Sequence, residues 1–148
     1  MVDIKMRLLF NTIILFFILL TRALAEDYTQ VCFHDSLCLR AEIADNDEER
    51  ENGLMSREKT AAEQAMLFVF DTALLPSFWL KNVNFPLDII WINADKTIVD
   101  INTDCQPCQE SCPSYAPGVP VKYTIEVSAG FVKNNQIKAG DKLTFSLP

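Results

Sequence analysis

Apolar positions in this chain recur mostly with a period of two. From Leu37 to Ile43, Leu37, Leu39, Ala41 and Ile43 share one side, while Cys38, Arg40 and Glu42 share the other. That is the spacing of a strand with one face in a core. Tyr28 to Phe33 lies before it across His34-Asp35-Ser36, which predicts a hairpin. Val121 to Ser128 alternates cleanly, with Val121, Tyr123, Ile125 and Val127 expected inward and Lys122, Thr124, Glu126 and Ser128 outward. Met66 to Phe70 is an unbroken apolar run, as in a buried strand, and Phe78 to Lys81 reads as a further short strand. Asp88 to Asn93 and Thr97 to Asn102 flank Ala94-Asp95-Lys96 as a second hairpin, and Leu143, Phe145 and Leu147 alternate in a closing strand. Only Asp45 to Leu54 reads as helix: Asp45 or Asn46 can cap it, Glu48 or Glu49 follows three residues later, and Gly53 ends it. Many short strands with one or two short helices predict a mainly β fold, a compact single-domain sheet or small barrel.

The first 25 residues follow a different pattern. Lys5 and Arg7 precede an uncharged stretch from Leu8 to Leu20, and Ala23-Leu24-Ala25 follows. As a helix that stretch spans only ~20 Å, short of a ~30 Å hydrocarbon core. The pattern is that of a secretory signal cleaved before Glu26, leaving residues 26–148 as one exported domain, periplasmic or secreted. Membrane contact is then expected only through this segment if it stays uncleaved. The whole chain has 13 basic and 20 acidic residues, for a formal charge of -7, and residues 26–148 keep 10 against 19. That balance argues against nucleic acid and against anionic lipid surfaces, both of which are bound through cationic clusters. No heptad or apolar surface stripe is evident, so a monomer is expected.

Thr103 to Pro120 interrupts the strands with four of the seven prolines and three of the five cysteines. An exported compartment permits disulfides. Placing Cys32 opposite Cys38 sets Val31 against Leu39 and Phe33 against Leu37, so the apolar faces match. Cys108 and Cys112 bracket a five-residue loop, which leaves Cys105 odd, either reactive or paired between molecules. Two sharper readings compete with structural disulfides. Cys105-Gln-Pro-Cys108 has the spacing of a redox dithiol, yet Asp104 and Glu110 beside it oppose a thiolate. Cys105, Cys108 and Cys112, with His34, offer metal-ligand chemistry with only one paired-cysteine element. His34 is the one histidine and falls in a turn, which disfavours Ser-His-Asp or Cys-His catalysis. The four glycines, at 53, 118, 130 and 140, form no phosphate-cradling loop, and no cofactor is implied.

Phe78 to Asp88 concentrates unusual chemistry. Trp79 and Lys81 share one face, Phe78 and Leu80 the other, and Asn82, Asn84 and Asp88 follow. A stacking ring beside planar hydrogen-bonding groups suits a small-molecule or glycan-like ligand. A core Trp, a capping Asn and an Asp paired with Lys81 or Arg57 would give the same residues. Asp88 and Glu126 also offer a carboxylate pair for hydrolysis, if they meet in one cleft.

Several ordered blocks resemble the family called domain of unknown function 192. They are Ala41-Glu42-Ile43-Ala44, Gly53-Leu54-Met55-Ser56-Arg57, Met66-Leu67-Phe68-Val69-Phe70, Phe78-Trp79-Leu80-Lys81-Asn82 through Pro86-Leu87-Asp88-Ile89, Ile125-Glu126 with Ala129-Gly130, and Ile137-Lys138-Ala139-Gly140-Asp141. The resemblance covers about residues 39 to 145. It implies a compact, mostly β, often exported domain and brings no activity. It departs at Ala65, where the family usually has Gly, and at Leu80, where it usually has Met. It matches Arg57, Trp79, Lys81, Asn82, Asp88 and Glu126 to family-pattern positions, and these are the candidate ligand-binding residues. The expected function is a binding module of the cell envelope. The alternatives are a hydrolase built on Asp88 and Glu126 and a thiol redox or metal protein built on Cys105, Cys108 and Cys112.

Overall fold

The structure, a computed structural model, describes residues 28–34, 36–58 and 64–148. The expected signal segment, residues 1–25, lies outside them, as do Asp35 and the side chain of His34. Six strands form one open sheet: β1 (Tyr28–His34), β2 (Leu37–Ala44), β3 (Gln64–Leu74), β4 (Leu87–Ile92), β5 (Ile98–Cys105) and β6 (Val121–Ser128), in spatial order β1-β2-β3-β6-β4-β5. The described residues also form two short helices, α1 (Asp47–Asn52) and α2 (Phe131–Asn134). Neighbours pair antiparallel except β2 and β3. A parallel pair needs a crossover connection, and α1 lies within it.

Each helix boundary has a local cause. The Asn46 side chain accepts the Glu49 N–H at 3.0 Å, and three acids occupy the first turn of α1, where the helix dipole favours them. Gly53 ends α1 at φ 45° and ψ -128°, a backbone region that favours glycine, and its N–H donates to the Glu49 carbonyl. In the first hairpin Val31 faces Leu39 and Cys32 faces Cys38, to which it is disulfide-bonded with Cα atoms 4.0 Å apart. Cys32 exchanges both backbone hydrogen bonds with Thr144 instead, so the cysteines occupy a close, non-hydrogen-bonded site of the ladder. The expected pairing of Phe33 with Leu37 does not form: a bulge shifts the register so that His34 stands opposite Leu37.

The core has two layers, one on each face of the sheet. One contains Val31, Leu67, Ile90, Ile125 and Val127 and is covered by Val132 of α2 with Ile137, Leu143 and Phe145. The other contains Met66, Phe68, Ile89 and Trp91 and is covered by Leu54, Leu80, Val83 and Phe85. β6 is central, so both of its faces are covered. Thr124 and Glu126, expected outward, are therefore buried. Likewise β4 is buried at every position, as its near-continuous apolar run requires.

Two expected strands are only extended segments. Phe78 and Lys81 make single bridges, to Tyr115 and Cys108, and Asn82 turns the chain at φ 57°. The C-terminal stretch makes single bridges from Lys142 to Thr97 and from Thr144 to Cys32. It thus touches both the β1 edge and the start of the β5 edge without a continuous ladder. The sheet stays open, which corrects the small-barrel alternative: closure requires unbroken strand pairing all the way round.

Candidate functional site

The register of β4 on β6 decides which carboxylates can cooperate. Asp88 stands opposite Val127, and Ile89 stands opposite Glu126. Directly opposed residues share a face and adjacent residues alternate, so Asp88 and Glu126 project from opposite faces of the sheet. The hydrolytic carboxylate pair does not form. Asp88 accepts the Asp104 N–H on Oδ1 and the Val132 N–H on Oδ2, each at 2.9 Å. Both oxygens therefore bind backbone, tying the end of β5 and the start of α2 to β4. A cavity of about 570 Å³ opens beside it, lined also by Asp104, Lys133 and Gln136.

Glu126 sits in a different environment. On its face of the sheet, Glu42, Met66, Glu126 and Ile89 form one row across β2, β3, β6 and β4. Glu42 is answered by Arg57, whose two terminal nitrogens bond its two oxygens at 2.5 and 2.6 Å. Glu126 is 5% exposed and makes no hydrogen bond or ion pair with any described residue. Burial alone pushes its carboxyl from 4.5 up to about 8, so it is predominantly protonated at neutral pH. Thr124, two residues earlier on the same strand face, also has a buried hydroxyl without a partner among the described residues.

Glu126 lies at the base of a cavity of about 300 Å³. α1 and the turn after it contribute Arg50, Leu54 and Met55, β3 contributes Phe68 and Phe70, and the segment before β4 contributes Phe78, Trp79 and Val83. Trp79 is 59% exposed at the mouth. Arg50 is held on the rim by Asp47 at 2.7 Å and by the carbonyls of Asp45 and Val69. Gly53 is required by its backbone at φ 45° and not by space, since a Cβ there would meet the Phe68 ring at an ordinary contact distance of 3.5 Å. The 106–120 loop braces the opposite wall. Phe78 and Tyr115 exchange backbone hydrogen bonds at 2.8 Å, Cys108 donates to the Leu80 carbonyl at 3.0 Å, and a disulfide joins Cys108 to Cys112.

The remaining candidates are placed elsewhere. Lys81 is exposed beside Cys108. Asn82 supplies a left-handed turn, and its carbonyl accepts the Ser56 N–H at 2.8 Å, so its identity has a conformational cause. Cys105 is buried, with its thiol pushed up to about 12 chiefly by burial and then by Asp88, Glu126 and Asp104. Because Cys108 is bonded to Cys112, the Cys105–Cys108 spacing does not form a dithiol, and the three-cysteine ligand set is broken. Among the described residues no group of three or more potential ligands is gathered for a metal. Of the six candidate binding residues, Trp79 and Glu126 line this cavity and the other four do not. Sequence reasoning missed Phe68, Phe70 and Arg50, which read as buried strand and helix surface. Their one sequence signal is that the segments carrying them fall among the resemblance blocks or beside one.

Fold and site together define a single-domain, mainly β protein with an open mixed sheet and a carboxyl-floored apolar cavity on one face. The family model for DUF192, described as an uncharacterized ACR, matches residues 30–145, and the chain belongs to that family. It is 31% identical over 110 residues to the UPF0127 protein PYRAB11210 of Pyrococcus abyssi, a match covering 70% of this chain and 84% of that one. Two solved structures share the fold. One, from Sinorhizobium meliloti 1021 and described as a "putative transcription regulator", is 32% identical with a TM-score of 0.70, covering 82% of this chain and 94% of that one. The other, a protein of unknown function from Novosphingobium aromaticivorans DSM 12444, is 27% identical with a TM-score of 0.68, covering 79% and 83%.

Proposed function

We propose that this domain is a small-molecule binding module whose ligand enters the cavity between α1, β3 and the Phe78–Val83 segment. The observation that carries the reading is Glu126, a buried carboxyl without a protein partner at the base of an apolar cavity. Buried polar groups are normally hydrogen-bonded, and the Glu126 carboxyl faces the cavity instead of a protein partner. A ligand group that reaches Glu126 supplies the hydrogen bond that no described residue makes. Trp79, Phe70 and Phe78 would pack against the ligand's body. The lining offers few polar partners, so it suits a compact ligand with an apolar body and one polar end better than a glycan bristling with hydroxyls.

The signal-like first 25 residues and the two disulfides support a site of action outside the cytoplasm. The excess of acidic over basic residues gives no support to nucleic-acid binding by this chain, so the description of the Sinorhizobium structure as a "putative transcription regulator" is not extended to it. The test is a fragment screen read by methyl NMR of Met55 and Leu54, repeated with Glu126→Gln and with Lys81→Ala as an off-site control. Hits that shift both methyls and weaken in the Glu126 variant alone uphold the reading. A screen in which no fragment moves either methyl defeats it.

A further inference from the structure

The cavity's chemistry narrows the ligand class, on the premise that the cavity is the binding site. We propose that its ligand carries an organic ammonium group, an alkylated or quaternary amine, seated among the aromatic rings with its charge answered by Glu126.

Three observations converge on this. First, Phe68, Phe70, Phe78 and Trp79 line the cavity. Phe78 meets Phe68 edge-on at 4.8 Å and 68°, and Phe70 at 6.5 Å and 71°. Steeply angled rings present walls rather than a stack, and a cation is attracted to ring faces. The Arg50 guanidinium, 5.9 Å from the Phe70 centroid, already places one cation against this aromatic group. Asp47 pairs with it at 2.7 Å and offsets part of its charge.

Second, Glu126 is a buried acid in the cavity lining with no ion pair to a described residue, and burial raises its carboxyl to about 8. A neutral ligand would give it at most a hydrogen bond, whereas a cation gives it the ion pair that burial otherwise denies. Third, the chain carries a formal charge of -7, which draws cations and repels anions. An alkylated ammonium is more weakly hydrated than a bare one and enters an apolar cavity at lower cost.

Entry of the cation is coupled to a proton. The neutral Glu126 carboxyl loses its O–H proton to solvent, and the carboxylate left behind pairs with the ammonium, so charge in the cavity is conserved. The titratable groups around Glu126 are Arg50 and Glu51 from α1, the Cys105 thiol at the end of β5 and, further along its own row on β2, Glu42 in its pair with Arg57. β3 and β4 set Met66 and Ile89 beside it, and the segment before β4 adds Ser77 and Trp79, none of which titrates near neutrality.

The test is calorimetric titration of the purified protein at pH 7 with tetramethylammonium, choline and benzyltrimethylammonium, against the neutral choline isostere 3,3-dimethyl-1-butanol. Two buffers of different ionisation enthalpy count the protons released. At least one cation is expected to bind, with choline about tenfold or more tighter than its isostere. Nearly one proton should leave per cation bound. Glu126→Gln should abolish the proton release and reduce the preference below about threefold. Trp79→Ala, at an exposed position, should weaken cation binding while circular dichroism stays unchanged. Binding of the isostere as tightly as choline, cation binding without proton release, or no binding by any of the three cations overturns the proposal. Cavity binding by neutral fragments alone would overturn it and leave the small-molecule reading standing, whereas silence from both cations and fragments removes both.

Discussion

Replacing Glu126 by Gln removes the ionisation while keeping the side chain's size, and the consequence can be worked from burial. In the unfolded chain this carboxyl titrates near 4.5, whereas in the folded domain it is raised to about 8. Between those values the folded state binds a proton that the unfolded state has released. Folding therefore takes up a proton, and stability falls as pH rises through the window. At full strength the slope is about 1.4 kcal/mol per pH unit, and integrating from pH 5 to pH 8 gives a loss of about 3–4 kcal/mol. Above pH 8 both states are ionised and the loss levels off. Gln cannot titrate, so Glu126→Gln should lack this component. Urea denaturation of wild type and variant at pH 5, 6, 7 and 8 isolates it, because all other titrating groups are common to both. The variant should gain on wild type steadily across the window, ending on the order of 3 kcal/mol ahead of its position at pH 5. Curves that run parallel within about 1 kcal/mol would refute the reasoning, because Glu126 would then be ionised or hydrated in the folded state. Infrared spectra at neutral pH give an independent reading: a protonated carboxyl band should be present in wild type and absent from the variant.

Asp88→Asn leaves one oxygen to serve two backbone N–H donors and removes the charge that strengthens both bonds, so denaturant melts should show a loss of about 2–4 kcal/mol. Its amides at Asp104 and Val132 should lose hydrogen-exchange protection first. Gly53→Ala forces a Cβ onto a backbone at φ 45° and ψ -128°, and thermal denaturation should report a loss of about 1–3 kcal/mol. Trp79→Ala should change stability by no more than about 0.5 kcal/mol, since the ring is largely exposed, while weakening any ligand that reaches the cavity. A large stability loss there would mean the indole is part of the core.

Local rules written along the chain determined much of this protein. The period of two in Leu37 to Ile43 and at Val121, Tyr123, Ile125 and Val127 placed those side chains in a core, because alternation is built into the pleat. Asn46, the acids after it and Gly53 marked the ends of α1 through capping and positive φ, which act within a single turn. Other features arise between segments and have no local signature. Alternation tells one face of a strand from the other but not water from a second layer of protein, so the burial of Thr124 and Glu126 follows only from the central place of β6. The parity of Asp88 and the parity of Glu126 are each local, but their relation is set by strand register, and β4 pairs with β6 so that the two carboxyls part to opposite faces. The cavity likewise joins β3, α1, β6 and the segment before β4. Its phenylalanines look like any other core residues until the chain, by leaving Glu126 without a partner, gives their surroundings a polar floor.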